Sequence, residues 1–377
     1  SDTGDNTEEK VVTEEKTAED NKGESVDENK NIEKQSAGWQ KNGSITYYAD
    51  EKGNKKTGWL DLNGEKYYFN SEGVMLTGWQ AIGISRYYFD NNGVMLKGWH
   101  TINGVKYHFD AEGKESIGWN NVDGRRYYFA ESGTVGAVYS NRVAQINGKY
   151  YGFNENGELL EGWHTIGQNR YYFRSDGTAV SGFFTDGDKT YHFDETNCSM
   201  SYNWILSNGN YYYFDADGVA VKGWKTIKGY KYYFDNDGIM AQGWKEIDGH
   251  KYFFNNTSNS TGTIYNNGIA EIEGNYYGFA EDGQVLTGWQ TIRGNRYYFN
   301  KDGKAVSGFY TEGDKKYHFN ETNCTMSYNF VLLNGSYYYF DADGVMVKGW
   351  KTINGYKYYF DNDGIMAQGW KEIDGHK

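Results

Sequence analysis

The sequence predicts an all-β solenoid of stacked β-hairpins, with about twenty residues in each repeat. The first observation is a periodic tryptophan, spaced twenty residues apart at Trp39, Trp59, Trp79, Trp99 and Trp119. The second is a recurring aromatic strand, Lys/Arg-Tyr-Tyr-Phe-Asp/Asn. The third is composition: the 377 residues include 50 glycines and no proline. Tight turns must therefore be made by Gly, Asn and Asp, which suit hairpins.

Each repeat divides into two short strands. The first begins with Gly-Trp and ends before a turn that is often Asn-Gly or Asp-Gly, and the second is the Tyr-Tyr-Phe strand. A second Gly-containing turn, such as Asp-Asn-Asp-Gly, leads to the next repeat. This order of strands and turns is typical of β-hairpins. A lone hairpin is marginally stable in water, so we expect neighbouring hairpins to stack through residues 38–377.

Alternation along the second strand sorts its side chains into two faces. In the segment 231–234, Tyr232 and Phe234 share one face and are predicted to point inward. Lys231 and Tyr233 share the other face and are predicted to point outward. The same pattern recurs at 66–69, 86–89, 170–173 and 296–299.

A longer repeat of 126 residues lies over the short one, and it relates Trp163 to Trp289 and Cys198 to Cys324. Irregular hairpins without a Gly-Trp start are expected near 131–153 and 255–279. Their second strand reads Tyr-Tyr-Gly-Phe, in which an inserted Gly suggests a β-bulge and a bend in the solenoid.

Residues 1–37 contain twelve acids, five lysines and no aromatic residue, which predicts a disordered acidic leader or linker. The net charge of −13 argues against nucleic acid or an anionic membrane as a partner. The sequence has no apolar run long enough to insert into a membrane. The chain stops at Lys377, within a repeat, so we expect a fragment with a further domain downstream.

The polar residues of the repeats do not form a recognisable catalytic or metal site. The Asp-x-Asp-Gly segments are interpreted as Asx turns, because they lack the remaining ligands of a calcium loop. Cys198 and Cys324 are expected to be buried thiols, and His108, His192 and His318 to be substituted tyrosines. No nucleophile elbow, phosphate loop or His-Glu-x-x-His motif occurs. We expect no metal, no cofactor and no enzyme within this fragment.

The motif Gly-Trp, Gly, Tyr-Tyr-Phe-Asp, Gly resembles the cell-wall-binding repeat superfamily over residues 38–377. This superfamily includes choline-binding repeats, glucan-binding repeats of glucansucrases and the repetitive oligopeptides of clostridial toxins. The segment Lys348 to Asp361 is most similar to the last two branches. The resemblance implies a hairpin solenoid that recognises sugars or choline in shallow sites between hairpins, on a protein secreted by, or displayed on the wall of, a Gram-positive bacterium.

One departure from the choline-binding pattern favours sugar. Choline-binding repeats typically have Trp before the tyrosine pair, where it helps to form an aromatic cage. This sequence has a cation there, at Lys66, Arg86, Lys106, Arg126, Arg170, Lys231, Lys251, Arg296 and Lys357. A cation removes one cage wall and repels an ammonium, but it can donate hydrogen bonds to sugar oxygens. The predicted carbohydrate-binding residues are Trp59, Tyr68, Trp79, Tyr88, Trp163, Arg170, Tyr172, Trp224, Lys231, Tyr233, Trp244, Trp289, Arg296, Tyr298, Trp350 and Tyr359.

Three functional classes remain open. The repeats could anchor a secreted protein to glucan or cell-wall polysaccharide, or engage host glycans as part of a toxin or adhesin. They could also be an accessory region of an enzyme whose catalytic domain lies beyond Lys377. Choline or teichoic acid is a further alternative ligand. The acidic segment directly before the repeats favours an adhesin or a glucansucrase over a toxin.

Overall fold

The computed structural model describes residues 36–377 and shows β-hairpins in succession with no helix in that range. The all-β repeat fold predicted from the sequence is therefore confirmed. The predicted acidic leader lies outside the described residues, except for Ser36 and Ala37. Within the described part of the chain, no helix is long and apolar enough to cross a membrane.

The chain forms two compact units, which divide after Tyr139, within the segment where an irregular hairpin was expected. The described part of the first unit contains five hairpins. Their strands are β1 Gly38–Asn42 and β2 Ile45–Ala49, β3 Gly58–Leu62 and β4 Glu65–Phe69, β5 Gly78–Ile82 and β6 Ser85–Phe89, β7 Gly98–Ile102 and β8 Val105–Phe109, and β9 Gly118–Val122 and β10 Arg125–Phe129.

The second unit contains eleven hairpins. Their strands are β11 Arg142–Ile146 and β12 Lys149–Phe153, β13 Gly162–Ile166 and β14 Asn169–Phe173, β15 Gly182–Asp186 and β16 Lys189–Phe193, β17 Asn203–Ser207 and β18 Asn210–Phe214, β19 Gly223–Ile227 and β20 Tyr230–Phe234, β21 Gly243–Ile247 and β22 His250–Phe254, β23 Gly268–Ile272 and β24 Asn275–Phe279, β25 Gly288–Ile292 and β26 Asn295–Phe299, β27 Gly308–Glu312 and β28 Lys315–Phe319, β29 Asn329–Leu333 and β30 Ser336–Phe340, and β31 Gly349–Ile353 and β32 Tyr356–Phe360.

Two kinds of turn shape each repeat. Inside the β3–β4 hairpin, Asn63 and Gly64 have φ of 54° and 84°, the left-handed pair that a two-residue hairpin turn requires. After the hairpin, Oδ1 of Asn70 accepts hydrogen bonds from the amides of Glu72 and Val74, at 3.0 and 2.8 Å. This Asx turn reverses the chain towards the next repeat.

Within each unit, the segment after a hairpin ties that hairpin to the one before it. The amide of Met95, after β6, donates a 2.8 Å hydrogen bond to the carbonyl oxygen of Lys66 in β4. The equivalent bond from Met240 to Tyr211 is also 2.8 Å long. Successive hairpins are thus joined by single backbone hydrogen bonds and by side-chain packing, because every sheet among the described residues contains only two strands.

The inward face forms the core as predicted. Phe69 and Phe234 are 1% and 0% exposed, and Tyr67 is 7% exposed. Tyr232, which was also expected to be inward and buried, is only half-buried. The outward residues Lys231 and Tyr233 are half-buried too, because the Trp–Tyr contacts between strands cover part of this face.

The predicted β-bulge is wrong. Val143 pairs directly with Gly152, and Arg142 with Phe153, so β11 and β12 keep a regular register. Gly152 is a substitution at the position of the second tyrosine, not an insertion. A Cβ placed on Gly152 would lie 2.3 Å from Cζ of Phe173, and one on Gly278 would lie 2.6 Å from Cζ of Phe299. The ring of the following hairpin therefore occupies the space that a side chain would need.

Candidate ligand grooves between neighbouring hairpins

Within each unit, the tryptophan of a regular repeat packs against its own hairpin and against the hairpin that follows it. The ring centroid of Trp79 lies 5.2 Å from that of Tyr88 in the same hairpin. It also lies 4.9 Å from Tyr107 and 5.7 Å from Phe109 in the next hairpin. The indole is therefore held in a fixed orientation by three aromatic rings.

A ligand groove can be defined on this face by three side chains. They are the first-strand aromatic residue, the residue that precedes the tyrosine pair in the same hairpin, and the first tyrosine of the next hairpin. For the second groove of the first unit they are Trp59, Lys66 and Tyr87, with the Trp59 and Tyr87 centroids 5.1 Å apart.

In nine hairpins the residue before the tyrosine pair is a cation that lies over the first-strand aromatic ring of the same hairpin, and we call this side chain the lid. A cation within about 6 Å of a ring centroid makes a cation–π interaction. The lids and their distances are Arg86–Trp79 4.3 Å, Lys106–Trp99 4.5 Å, Arg126–Trp119 4.2 Å, Arg170–Trp163 4.4 Å, Lys231–Trp224 4.3 Å, Lys251–Trp244 4.2 Å, Arg296–Trp289 4.7 Å, Lys316–Phe309 4.4 Å and Lys357–Trp350 4.6 Å.

Lys66 makes a different contact, with its Nζ 3.8 Å from Oδ1 of Asp61. Both side chains are largely exposed, so this ion pair contributes little to stability. The cation–π contacts are worth about 0.5–1 kcal/mol each at exposed sites. A long side chain held this weakly can move aside when a ligand competes for the ring.

The structure brings the predicted tryptophans and second tyrosines together in pairs with edge-to-face packing. The centroid distances are Trp59–Tyr68 4.9 Å, Trp79–Tyr88 5.2 Å, Trp163–Tyr172 5.2 Å, Trp224–Tyr233 5.1 Å, Trp289–Tyr298 5.1 Å and Trp350–Tyr359 5.2 Å. Trp244 pairs with Phe253 instead, at 4.9 Å. The three predicted cations, Arg170, Lys231 and Arg296, are all lids. A role of these residues in sugar binding stays a prediction.

Two of the predicted tyrosines are covered by the next hairpin. Tyr172 lies 4.3 Å from Phe184, and Tyr298 lies 4.3 Å from Tyr310 in a stacked arrangement. Hydrogen bonding to Tyr298 raises the pKa of the Tyr310 hydroxyl. These two tyrosines consequently offer less open ring surface than their equivalents.

The tryptophans beside these two tyrosines are also engaged by the next hairpin. The indole Nε1–H of Trp163 donates to Oδ2 of Asp186, and that of Trp289 donates to Oε2 of Glu312, both at 3.0 Å. The carboxylates stand where other repeats have an aliphatic residue, such as Ile82. This contact was not anticipated, although the substitution is visible in the sequence.

Four grooves with a first-strand aromatic residue have no cation in the middle position. The middle residues are Thr46, Thr190, Tyr211 and Tyr337, beside Trp39, Phe183, Trp204 and Phe330 respectively. The Trp39 groove forms a cavity of about 450 Å³, lined by Trp39, Gln40, Lys41, Thr46, Tyr67, Met75, Asn91 and Asn92. Sequence analysis missed this groove, although the signal is present as Ser-Ile-Thr-Tyr-Tyr in place of Lys/Arg-Tyr-Tyr.

A second cavity, of about 470 Å³, lies beside the atypical hairpin β11–β12 and is lined by Lys149, Arg174 and Cys198 among others. The thiols of Cys198 and Cys324 are unpaired with each other and 5% and 6% exposed, which confirms the prediction of buried thiols. Burial raises the pKa of both thiols.

The acidic turns behave as ordinary Asx turns. Oδ1 of Asp215 accepts hydrogen bonds from the amides of Asp217 and Val219, each at 2.9 Å. The same pair of bonds forms at Asp235. Between residues 36 and 377, no cluster of three His, Cys, Asp or Glu side chains could hold a metal ion.

Comparison with known families identifies these repeats. A model described as the choline-binding repeat matches residues 56–97, 76–115, 96–137, 160–203, 221–263, 286–329 and 347–377. A second model, of a cell wall binding repeat, matches residues 203–220 and 329–346. The matches cover more than half of the chain. The chain belongs to the choline-binding repeat family. The resemblance to cell-wall-binding repeats seen in the sequence is thus confirmed for this choline-binding repeat protein.

Solved structures similar to these choline-binding repeats include CbpJ from Streptococcus pneumoniae TIGR4, with 24% identity, a TM-score of 0.48, and coverage of 71% of this chain and 100% of CbpJ. The modular autolysin LytC from Streptococcus pneumoniae, in complex with a synthetic peptidoglycan ligand, has 22% identity, a TM-score of 0.42, and coverage of 60% and 52%. ASR alternansucrase in complex with isomaltononaose has 23% identity, a TM-score of 0.28, and coverage of 76% and 23%. The search of curated proteins gave no match.

Proposed function

We propose that this choline-binding repeat module binds polysaccharide, either a glucan or a cell-wall glycan, through many weak aromatic sites. In this role it anchors a secreted or surface protein to the wall of a Gram-positive bacterium. The observation that carries the proposal is the set of nine lids, each placing a cation of the protein over an aromatic ring.

The lids disfavour choline at the nine hairpins that contain them. A quaternary ammonium is held by the electron-rich faces of several aromatic rings. In the Trp224 groove, Nζ of Lys231 already lies 4.3 Å from the centroid of the indole ring. An ammonium ligand would have to displace a like charge and would find one aromatic wall missing.

The same lids suit a polyhydroxylated ligand. Lysine offers three donors and arginine five, with no acceptor, so both match the oxygens of sugar hydroxyls and carboxylates. A lid that moves from the indole to a sugar oxygen would expose an aromatic surface for ring stacking. The net charge of −13 gives no general attraction for polyanions such as nucleic acid.

Useful affinity would come from several sites on one polymer. Linking weak sites turns later binding events into intramolecular ones and can raise avidity by about 10²–10⁴. Because the lidded grooves recur along both units, a long polysaccharide is a better ligand than its short oligomers. Binding of a host glycan in the same aromatic grooves would instead identify these repeats as part of an adhesin or a toxin.

Affinity electrophoresis of the whole chain in gels containing dextran, with pull-down by purified Gram-positive cell walls, tests the proposal. We expect retardation by dextran or retention on the walls, reduced strongly when Trp59, Trp79, Trp224 and Trp244 are replaced together by alanine. If the chain binds neither polysaccharide and no glycan on an array, but binds a protein partner tightly, the polysaccharide proposal is wrong. The repeats would then be a protein-binding adhesin.

A second candidate, choline, is favoured by two grooves, at Trp204 and at Phe330, and the one at Trp204 has the tryptophan. Trp204 lies 5.0 Å from Tyr232 of the next hairpin, and the middle residue is Tyr211, so three aromatic residues and no cation define this groove. Retention on choline-agarose with elution by free choline, abolished by Trp204→Ala, would support it. Trp224→Ala is the matched control, since Lys231 lies over that indole.

A further inference from the structure

We propose that the lid-free groove at Trp39 is a subsite for one neutral hexopyranose residue of a glycan. This inference rests on the proposed polysaccharide-binding function and goes further, because it singles out one groove and a ligand charge. The groove is bounded by Trp39, Thr46 and Tyr67, none of which was among the binding residues expected from the sequence.

The aromatic platform of this groove is rigid and open. The Trp39 centroid lies 5.3 Å from Tyr48, 4.8 Å from Tyr67 and 5.9 Å from Phe69, which fixes the indole as in the lidded repeats. The side chain nevertheless remains 40% exposed. A sugar can therefore stack on the indole without rearranging the hairpins.

The absence of a lid at Trp39 follows from a local exchange of residues. Thr46 stands where nine other repeats have a lid, and its partner across the hairpin is Lys41. Within residues 36–377, no lysine or arginine makes a cation–π contact with Trp39, whereas Arg86 lies 4.3 Å from the equivalent Trp79. A ligand at Trp39 has no internal cation to displace.

The lining chemistry matches a neutral sugar. Gln40, Asn91 and Asn92 line the cavity, and Nε2 of Gln40 also donates to the carbonyl oxygen of Ser36 at 2.6 Å. Amides supply both donors and acceptors, and each sugar hydroxyl needs both. The ammonium of Lys41 adds three further donors, and no carboxylate is among the lining residues. An ammonium ligand would find only two aromatic walls and one nearby cation. The carboxylate of Glu65 does not line the cavity, and its Oε2 already accepts a 2.6 Å hydrogen bond from the hydroxyl of Tyr67.

The size of the groove is also suitable. Its volume of about 450 Å³ is within the range of small-molecule sites, about 300–1,000 Å³. Aromatic walls with a few convergent polar groups are the usual composition of such sites. The other three grooves without a cation in the middle position lack the tryptophan, as at Phe183 and Phe330, or replace the threonine by a tyrosine, as at Tyr211.

The test adds a lid to this groove in the whole chain. Calorimetric titrations with isomaltotriose and with chitotriose would be run on the wild type, Thr46→Lys, Trp39→Ala and the Asn91→Ala/Asn92→Ala double variant. Thr46→Lys should preserve the fold, because other hairpins have lysine in this position. Thr226→Lys adds the same charge to an exposed strand position of the second unit and serves as the matched control.

We expect the dissociation constant of the tightest class of trisaccharide sites to rise at least tenfold in Thr46→Lys, Trp39→Ala and the double asparagine variant. In Thr226→Lys it should stay unchanged. The trisaccharide that binds identifies the source, a glucan or an N-acetylglucosamine polymer. Undiminished trisaccharide binding by Thr46→Lys and Trp39→Ala would overturn the subsite while leaving polysaccharide binding intact. Displacement of the trisaccharide by choline chloride would also overturn it. A wild type that binds neither polymer nor trisaccharide would remove the proposed function and the subsite together.

Discussion

Nη1 of Arg86 lies 3.4 Å from Oε2 of Glu115, a carboxylate whose side chain is fully buried. Glu115 occupies the position that Met75 and Met95 hold in the preceding repeats. Neither of its oxygens has a hydrogen-bond partner among the described residues. Arg86 therefore has two roles, since it is also the lid of Trp79.

This pair leads to a prediction about stability and pH. Burial raises the pKa of Glu115, and the charge of Arg86 opposes this only in part. The folded state therefore binds a proton more readily than the unfolded state, and this residue lowers stability as the pH rises above about 4.5. Glu115→Met should stabilise the first unit by about 1–3 kcal/mol at pH 7, because an apolar residue replaces a buried ion pair.

Urea unfolding of the wild type and Glu115→Met at pH 4 and pH 7 would measure this effect. The gain should shrink at pH 4, where the wild-type carboxyl is protonated in the folded state. Glu112→Met, at an exposed turn position, is the control. An equal gain at both pH values would show that the charge of Glu115 is not the cause.

A second prediction concerns the close approach at Gly152. Gly→Ala at a position of ordinary φ usually stabilises by about 0.4–1 kcal/mol, through the unfolded state. At Gly152 the added methyl group would meet the ring of Phe173. We expect Gly152→Ala to destabilise the second unit by about 1–3 kcal/mol through overpacking.

Thermal and urea unfolding would check this expectation, with Gly278→Ala as its repeat-related counterpart. Gly268→Ala is the control, since the nearest atom there is a flexible guanidinium nitrogen of Arg293 at 3.4 Å. A stabilising effect at Gly152 would mean that the Phe173 ring can move without cost.

A third prediction concerns acid pH. Nδ1 of His192 and Nδ1 of His318 each lie 2.8 Å from a serine hydroxyl, Ser201 and Ser327 respectively. Burial lowers the pKa of both imidazoles below 6.5, so protonation is easier in the unfolded state. Their contribution to stability is therefore complete above pH 6.5 and is lost as the pH falls below it.

Calorimetric melting between pH 5 and 8 would measure this dependence. In His192→Tyr/His318→Tyr, which restores the residue of regular repeats, the decline of the second-unit melting temperature below pH 6.5 should be smaller. A decline as steep as that of the wild type would assign it to other groups.

A fourth prediction tests the lids directly by building an aromatic wall. Lys231→Trp removes the cation over Trp224 and places an indole where choline-binding repeats typically have one. We expect this variant to be retained on choline-agarose more strongly than the wild type, because the cation–π site becomes free. Thr226→Trp, on the same hairpin, should give no increase. Retention that does not change in Lys231→Trp would show that the lid does not decide ligand choice.

The hairpins and their faces were predictable because the tryptophan period, the Asx-Gly turns and the two-residue alternation all indicate the same unit. The alternation also places Lys231 and Trp224 on one face. It cannot place the ammonium over the indole, because these residues are diagonal neighbours: Lys231 pairs with Thr226, and Trp224 with Tyr233. The observed contact requires the reach of a long side chain across a diagonal pair.

The bulge prediction failed because of a contact between hairpins. Gly152 resembled an insertion because the reason for its missing side chain, the ring of Phe173, belongs to the next hairpin. The Trp39 groove was not predicted, because the expected ligand contacts included the cation before the tyrosine pair, and Thr46 replaces that cation.

The two-stranded sheets have a mechanical consequence for a protein held to a surface. Hairpins are joined in sequence by single backbone bonds, such as that from Met95 to Lys66, and by aromatic packing. A tensile load along the chain would thus act on these weak junctions one after another, and each hairpin would yield separately. A released repeat of about twenty residues adds at most about 70 Å of contour length. When the chain is pulled between its ends in a force spectrometer, it should lengthen in regular steps of this size. It would then act as an extensible tether. A single large rupture would exclude this behaviour.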